Sequence, residues 1–198
     1  GVSWQLYDAL REIEDNWHVK MTYDRGQLEL TPPSGKQSLR PIGRLIGTLT
    51  DELNIPLRSL RATTWKRKQQ EFALEADECY YIKCEPAIRA EPEIDGASDP
   101  PPDLAIESEV SRKAINKMSL YAMLGVAEVW RFDGDRLQAF QLMSDGKYTE
   151  CDRSVNLPFL SIADLSHFLR PHNDVGETAW IRSFRDWVRE TYGDKQVP

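Results

Sequence analysis

Three residues, Asp77, Glu107 and Lys117, have the types and the order that metal-dependent phosphodiester hydrolysis requires. Asp77 stands at the head of one predicted strand, Glu107 ends the next, and Lys117 follows on a predicted helix. Carboxylate oxygens bind hard cations such as Mg²⁺, and a lysine can neutralise the negative charge that develops on a phosphate. The trio therefore predicts a metal-assisted hydrolytic site, provided that the fold brings the three side chains together.

The strand around Glu107 limits which acid could share a cation with it. Side chains alternate along a strand, so Asp103 and Glu107 point to one face, but four residues separate them by roughly 13 Å at about 3.3 Å per residue. Mg²⁺ takes its ligands at about 2.0–2.1 Å, so these two acids cannot bind one ion. The partner must come from another strand. Asp77 is the first choice and Glu78 the fallback, and the carbonyl of Ser108 could add an oxygen ligand.

The basic residue must come from the helix that follows, because the strand itself carries no lysine. Periodicity predicts this helix over residues 111–124. Lys113 and Lys117 lie four residues apart and so on one helix face. Lys117 shares its side of the helix with apolar Leu120 and Leu124, which favours a side chain directed toward the sheet.

Each of the three residues also has a purely structural explanation. A strand-end aspartate is often a turn or cap residue, and a glutamate after an apolar strand often marks where the strand meets water. A lysine can lie along apolar surface with its charge in the solvent. The order of all three together is what favours a hydrolytic site over these separate roles.

The composition is that of a soluble globular protein. The chain has 198 residues, of which 40% are hydrophobic and 29% charged, and a net charge of −7. No stretch approaches the roughly 18 consecutive apolar residues of a membrane span. The cysteines, Cys79, Cys84 and Cys151, are odd in number and lack a CxxC spacing, which favours reduced thiols and a cytoplasmic location. The scattered histidines do not predict a zinc site.

Basic residues are concentrated between residues 36 and 68, although the chain as a whole is acidic. This stretch has eight lysines and arginines against Asp51 and Glu52, a local charge of +6, so the rest of the chain carries −13. A segregated basic face could follow a phosphate backbone, whereas a charge run alone is more often a solvated helix face. The candidate nucleic-acid contacts are Lys36, Arg40, Arg44, Lys66, Arg67 and Lys68.

The remaining elements must position these residues, and their order predicts an α/β fold of the α+β type, with a mixed sheet flanked by helices. Periodicity predicts helices at residues 3–16, 38–53, 111–124, 161–169 and 178–191. Strands are predicted at 19–23, 27–30, 55–65, 78–82, 104–106, 128–132, 136–142 and 147–151. The last helix carries an apolar stripe that is either core or a dimer surface, consisting of Trp180, Ile181, Phe184, Trp187 and Val188.

Several segments, in this order, carry a family resemblance: residues 23–30, 33–35, 76–77, 102–107, Lys117 with 121–126, and 128–130. Together they resemble the Uma-two family of restriction-endonuclease-like proteins, long classed as a domain of unknown function, within the PD-(D/E)XK nuclease superfamily. The resemblance covers nearly the full length of the chain. It implies a single nuclease-like domain over residues 1–198 with the restriction-endonuclease-like fold.

The resemblance also implies an activity, namely metal-dependent endonucleolytic cleavage of DNA. Asp77 and Glu107 would bind Mg²⁺, with Mn²⁺ as an alternative. Lys117 would replace the lysine that most of the superfamily carries two residues after the glutamate, where this chain has Glu109. The departures from the family pattern are Lys36-Gln37 in place of an acid and a histidine, Ala76 in place of proline, and Ser108 in place of valine.

Other functions stay open at this point. A catalytically silent nuclease fold would bind nucleic acid or a protein partner without any metal-dependent change. A scaffolding module would use Trp180 and Trp187 as a homodimer surface, and a two-fold axis would also suit a nuclease that cuts both strands. A sugar- or nucleotide-modifying enzyme fits poorly, because the chain has no glycine-rich phosphate loop.

Overall fold

The computed structural model describes residues 1–31, 39–60, 63–108, 114–170 and 175–193. The helices are α1 Trp4–Arg11, α2 Arg40–Glu52, α3 Glu85–Ile88, α4 Lys117–Leu124, α5 Ile162–Leu169 and α6 Glu177–Tyr192. The strands are β1 Lys20–Asp24, β2 Gln27–Thr31, β3 Arg58–Ser59, β4 Thr64–Arg67, β5 Phe72–Glu75, β6 Glu78–Tyr81, β7 Leu104–Ser108, β8 Glu128–Phe132, β9 Leu137–Leu142 and β10 Tyr148–Cys151. Two short 3₁₀ helices lie at Glu14–Asn16 and Lys68–Gln70.

The ten strands in the described part of the chain form two sheets. The smaller sheet has the order β2-β1-β5-β4 and is antiparallel throughout. The larger sheet has the order β10-β9-β8-β7-β6-β3, and its β7–β8 pair is parallel, with α4 as the crossover between the two strands. The prediction of a mixed α/β fold with flanking helices is confirmed, and the division into two sheets adds to it.

The chain passes from the smaller sheet to the larger one through Ala76 and Asp77. β5 ends just before this pair and β6 begins just after it. Ala76 is fully buried, so the link runs through the interior rather than over the surface. Asp77 therefore lies where the two sheets meet.

The region between residues 55 and 75 is where the strand predictions were wrong. The single strand predicted at 55–65 is divided between β3, which belongs to the larger sheet, and β4, which belongs to the smaller one. β5 was not predicted at all. All four of its residues are buried, so it lacks the polar alternation that marks a strand with one solvent-facing side.

Different helices cover the two faces of the larger sheet. On one face, residues of α2, α5 and α6 pack with Tyr80, Leu104 and other residues of the central strands. On the opposite face, residues of α4 pack with Cys79 and Ala105. Because side chains alternate along a strand, Asp77 and Glu107 belong to the face that α4 covers.

Helix α4 begins at Lys117, later than the predicted start at residue 111. Asn116 has an extended backbone, and its side chain accepts a hydrogen bond from the Met118 amide at 3.1 Å, which caps the helix. Gly125 ends the helix with a φ of 86°, a conformation that glycine adopts without steric cost. Lys117 is thus the first helical residue rather than a mid-helix one. Glu109 and Lys113 lie outside the described residues.

The apolar stripe of the last helix packs within the chain. Ile181, Phe184 and Val188 are buried in the core beneath α2. Trp180 donates from its indole nitrogen to the carbonyl of Phe168 at 2.8 Å, and Trp187 stacks on Phe184 with ring centroids 5.6 Å apart. A homodimer surface at these tryptophans stays a prediction. Among the described residues, no helix combines the length and the apolar character needed to cross a membrane.

Candidate active site

Asp77 and Glu107 occupy neighbouring positions on adjacent antiparallel strands. Glu78 of β6 pairs with Ile106 of β7, so one step further along this register Asp77 stands beside Glu107. Residues opposite each other in an antiparallel pair lie about 5 Å apart. The structure therefore brings the two predicted acids together at the end of the β6–β7 pair.

The carboxylate of Asp77 is held by two residues. Its Oδ2 accepts hydrogen bonds from the amide and the hydroxyl of Ser108, both at 2.7 Å, and its Oδ1 forms an ion pair with the ammonium of Lys20. Burial would raise the pKa of Asp77, but the charge and hydrogen bond of Lys20, together with the two bonds from Ser108, outweigh it and lower the pKa to about 2. Asp77 is therefore ionised at neutral pH.

Ser108 orients Asp77, a role that the sequence did not predict. The sequence suggested its carbonyl as an additional metal ligand. In the structure its amide and hydroxyl face Asp77 and act as donors to the carboxylate. Ser108 thus orients one of the two acids, and its carbonyl as a metal ligand stays a prediction.

Glu107 is held by two residues of α4. The ammonium of Lys117 lies 3.0 Å from Oε1 and 3.1 Å from Oε2, and the hydroxyl of Tyr121, one helical turn further on, donates to Oε1 at 2.5 Å. Glu107 and Lys117 are 5% and 8% exposed. Burial and the negative charge of Glu107 raise the pKa of Tyr121 well above its ordinary value, so the phenol remains a hydrogen-bond donor.

Lys117 points toward the sheet, as its helix face predicted. Its third acceptor is the backbone carbonyl of Glu75, at 2.9 Å. This bond ties the start of α4 to the last residue of β5, and so to the smaller sheet. Lys117 consequently bridges the two sheets directly beside Asp77 and Glu107.

Lys20, which the sequence did not single out, is a further member of the site. It is the first residue of β1, and Tyr23 of the same strand pairs with Ala73 of β5. Continuing that antiparallel register places Lys20 beside Ala76, next to Asp77. Only the position of β5 brings the hairpin to the acids, and β5 was absent from the prediction, so the sequence carried no signal for this contact.

A third ion pair, between Arg11 of α1 and Glu75 of β5, adjoins the site. Arg11 Nη1 lies 3.3 Å from Glu75 Oε2, and its Nη2 donates to the hydroxyl of Thr64 at 3.0 Å. Both side chains are largely buried, at 18% and 11% exposure. Glu75 therefore connects α1 to the site, because its side chain pairs with Arg11 and its carbonyl accepts a hydrogen bond from Lys117.

Asp103 and Glu78, the two other acids that the sequence analysis considered, do not lie beside Glu107. Asp103 Oδ2 accepts from the amides of Ile82 at 2.7 Å and Cys84 at 2.9 Å, so this residue holds the loop after β6. Glu78 is bonded to the hydroxyl of Tyr80, on the face opposite Asp77. An added Cβ at Gly43 of α2 would lie only 3.0 Å from Glu78 Oε2, which shows how closely α2 approaches that face. Glu78 is therefore not the acid beside Glu107.

The predicted nucleic-acid contacts lie against different elements. Arg40 and Arg44 of α2 pair with Glu177 of α6, at 3.4 and 2.5 Å. Lys66 pairs with Asp8 of α1 at 2.9 Å. Arg67 donates to the carbonyls of Gly96 and Ala97, and Lys68 is exposed on the following 3₁₀ turn. Lys36 lies outside the described residues.

The residues that could hold a metal are Asp77 and Glu107. Across the described ranges, no group of three or more histidine, cysteine, aspartate or glutamate side chains is arranged to bind an ion. The donor set is thus two carboxylates. Mg²⁺ commonly binds through one or two carboxylates, several waters and substrate phosphate, so this set fits a hard divalent cation better than zinc.

Comparisons with known proteins agree with this architecture. A structural likeness links the chain to a crystal structure described as "a putative nuclease belonging to DUF820" from Anabaena variabilis, with a TM-score of 0.51, 17% sequence identity, and coverage of 75% of this chain and 90% of that chain. At that identity the likeness concerns the fold. No curated protein matches the chain. The Uma2 family, described as "Putative restriction endonuclease", matches over residues 4–169, which include Asp77, Glu107 and Lys117. The protein belongs to the Uma2 family.

Proposed function

We propose that the protein is a metal-dependent endonuclease that hydrolyses phosphodiester bonds in DNA, with Mg²⁺ or Mn²⁺ held by Asp77 and Glu107. The observation that carries the proposal is the position of these two acids, adjacent on one face of the larger sheet, with a lysine paired to each. Membership of the Uma2 family supports a nuclease. The dependence on a metal and the choice of DNA as substrate go beyond the family membership and belong to the proposal.

The chain's own groups would keep the two carboxylates ionised and oriented. Ser108 fixes Asp77 through Oδ2, while Lys117 and Tyr121 fix Glu107. A divalent cation bound there would supply Lewis-acid polarisation of the phosphate and a water of lowered pKa. Because Lys117 places a buried positive charge beside Glu107, it would also favour the negative charge that develops on the phosphate in the transition state.

The test is cleavage of supercoiled plasmid and of single-stranded DNA in Mg²⁺, Mn²⁺ and EDTA. The wild-type protein is compared with Glu107→Gln, which removes the charge but keeps the size of the side chain. Glu150→Gln is the matched control, since Glu150 lies on β10 and pairs with Arg136 at the surface. We expect metal-dependent nicking by the wild type and the control, and none by Glu107→Gln. Equal cutting by Glu107→Gln would refute the site.

A catalytically silent nuclease fold that binds nucleic acid or a protein partner is the second candidate. The observation that favours it is that each acid already has a lysine as counter-ion, so the site is electrostatically balanced without a metal. Retained DNA binding, with no cutting and no Mn²⁺ binding by the wild-type protein, would favour this alternative over the endonuclease.

A further inference from the structure

We propose that Lys20 is the lysine that contacts the substrate: a divalent metal displaces it from Asp77, and its released ammonium then binds the phosphodiester. This inference rests on the proposed function, because it requires a metal at Asp77. It assigns different tasks to the two lysines of the site. Lys117 would orient Glu107, and Lys20 would exchange one anionic partner for another.

The hydrogen bonds of Lys117 leave its ammonium fully engaged. An ammonium has three N–H donors. The three acceptors around Lys117 are the carbonyl of Glu75 and both carboxylate oxygens of Glu107, at 2.9, 3.0 and 3.1 Å. Its side chain is only 8% exposed. A phosphate could gain a bond from Lys117 only at the expense of one that positions Glu107 or β5.

Lys20 differs from Lys117 both in the number of acceptors around its ammonium and in the exposure of its side chain. Within the described parts of the chain, its ammonium has one acceptor, Asp77 Oδ1, so two donors remain for another group. Its side chain is 28% exposed, which gives it access to a ligand that approaches from solvent. The flexible four-carbon stem of a lysine allows its charge to move while the backbone stays in place.

The carboxylate of Asp77 is held at one oxygen independently of its contact with Lys20. Oδ2 is fixed by the amide and hydroxyl of Ser108, so the side chain keeps its orientation when the contact at Oδ1 is lost. A divalent cation at Oδ1 and the ammonium of Lys20 would repel each other at such short range. The ammonium would then be displaced toward the nearest anion, which in a loaded site is the phosphodiester.

The inference is tested on the full chain by two binding measurements, neither of which depends on activity. The first is the affinity for Mn²⁺ alone, from the electron paramagnetic resonance signal of the free ion. The second is the affinity for a fluorescein-labelled DNA duplex, measured by anisotropy with Ca²⁺ in place of Mg²⁺. The variants are Lys20→Met, Lys20→Gln and Lys20→Arg. Lys147→Met, in the exposed β9–β10 turn, is a control with the same change in charge.

For Lys20→Met we expect Mn²⁺ to bind about tenfold more tightly, since a neighbouring like charge shifts ionic equilibria by about one log unit or more. We expect DNA to bind about tenfold more weakly, because a charge-assisted hydrogen bond to phosphate is lost. Lys20→Gln can still donate to Asp77, which protects the fold, and should show both shifts. Lys20→Arg keeps the positive charge and should retain the wild-type DNA affinity. Lys147→Met should change neither the Mn²⁺ affinity nor the DNA affinity.

Wild-type values for both affinities in Lys20→Met and Lys20→Gln would overturn the inference. A change in Mn²⁺ affinity alone would overturn the phosphate contact, and a change in DNA affinity alone would overturn the displacement. A wild-type protein that binds no Mn²⁺ would overturn the proposed function as well. The wild-type titration therefore distinguishes failure of the function from failure of the role of Lys20.

Discussion

Ser108 binds the carboxylate of Asp77 twice, through its amide and through its hydroxyl, each at 2.7 Å. Ser108 directly follows Glu107 in β7, so the strand that supplies one acid also orients the other. The amide bond depends only on the backbone, whereas the hydroxyl bond depends on the serine. The serine hydroxyl therefore adds a second donor to the one that the backbone amide supplies.

Substitution Ser108→Val should remove the hydroxyl bond and preserve the amide bond. We expect the free energy of unfolding to fall by about 1–3 kcal/mol, because the hydrogen bond is to a charged, largely buried carboxylate. Urea denaturation at pH 7 measures the change. Ser98→Val, which removes a hydroxyl bond to exposed Asp95, is the control and should cost less. An equal loss in the two variants would contradict a special role for Ser108.

Asp77 should make the fold sensitive to acid. The pKa of Asp77 in the folded protein, about 2, is lower than its ordinary value of 3.8. The stabilisation is therefore fully present above pH 3.8 and is lost as the pH falls from 3.8 toward about 2. The linked free energy is about 2 kcal/mol. Urea denaturation at pH 5 and pH 3 should show a smaller decline for Asp77→Asn than for the wild type.

The control for the acid experiment is Asp145→Asn, in the exposed β9–β10 turn. Other carboxylates also titrate in this range, so the quantity to compare is the difference between each variant and the wild type at the two pH values. A decline in Asp77→Asn as steep as that of the wild type would show that the Lys20 and Ser108 contacts do not stabilise the ionised acid.

The buried pair of Lys117 and Glu107 should be strongly coupled. Lys117→Met leaves a buried carboxylate without its counter-ion, and Glu107→Gln leaves a buried ammonium without its carboxylate. Breaking one side of such a pair costs about 3–5 kcal/mol. The double variant should lose less than the sum of the single losses, measured by urea denaturation of all four proteins. Additive losses would mean that the two residues stabilise the fold independently.

Basic residues outside the site should contribute unequally to DNA binding. Lys68 is exposed and has no ion-pair partner among the described residues, whereas the charge of Arg44 is already compensated by Glu177 at 2.5 Å. Lys68→Met should weaken DNA binding and reduce the salt slope by about one. Arg44→Met should have a smaller effect. The measurement is DNA affinity across a salt series, and a larger effect of Arg44→Met would contradict the expected ranking.

The sequence predicted the elements whose patterns are local. The hairpin, α2 and the β8–β10 meander follow from turn residues and from apolar periodicity, and their strands and helices lie close to the predicted positions. The start of α4 was predicted too early, because the cap at Asn116 breaks a periodic pattern that continues on both sides. β5 was missed because it is buried on both faces. Its residues therefore do not alternate between polar and apolar, which is the pattern by which strands were predicted.

The candidate site was predictable only in part for the same reason. Asp77 and Glu107 lie on consecutive strands of one sheet, and Lys117 begins the helix that follows, so chain order alone suggested their proximity. Lys20 reaches Asp77 through the pairing of β1 with β5, a long-range contact between segments about 50 residues apart. The two bonds from Ser108 to Asp77 depend on the direction of the Ser108 amide and on its side-chain rotamer, which the residue type does not determine.

The passage of the chain between the two sheets at Ala76 and Asp77 has a mechanical consequence. Asp77 and Glu107 are aligned by the β6–β7 ladder within the larger sheet, whereas Lys20 is carried by the smaller one. A small shift of one sheet against the other would lengthen the Lys20–Asp77 contact and leave the two acids in register. The β6–β7 ladder thus fixes the distance between the two acids, whereas the β1–β5 pairing fixes the position of Lys20 relative to Asp77.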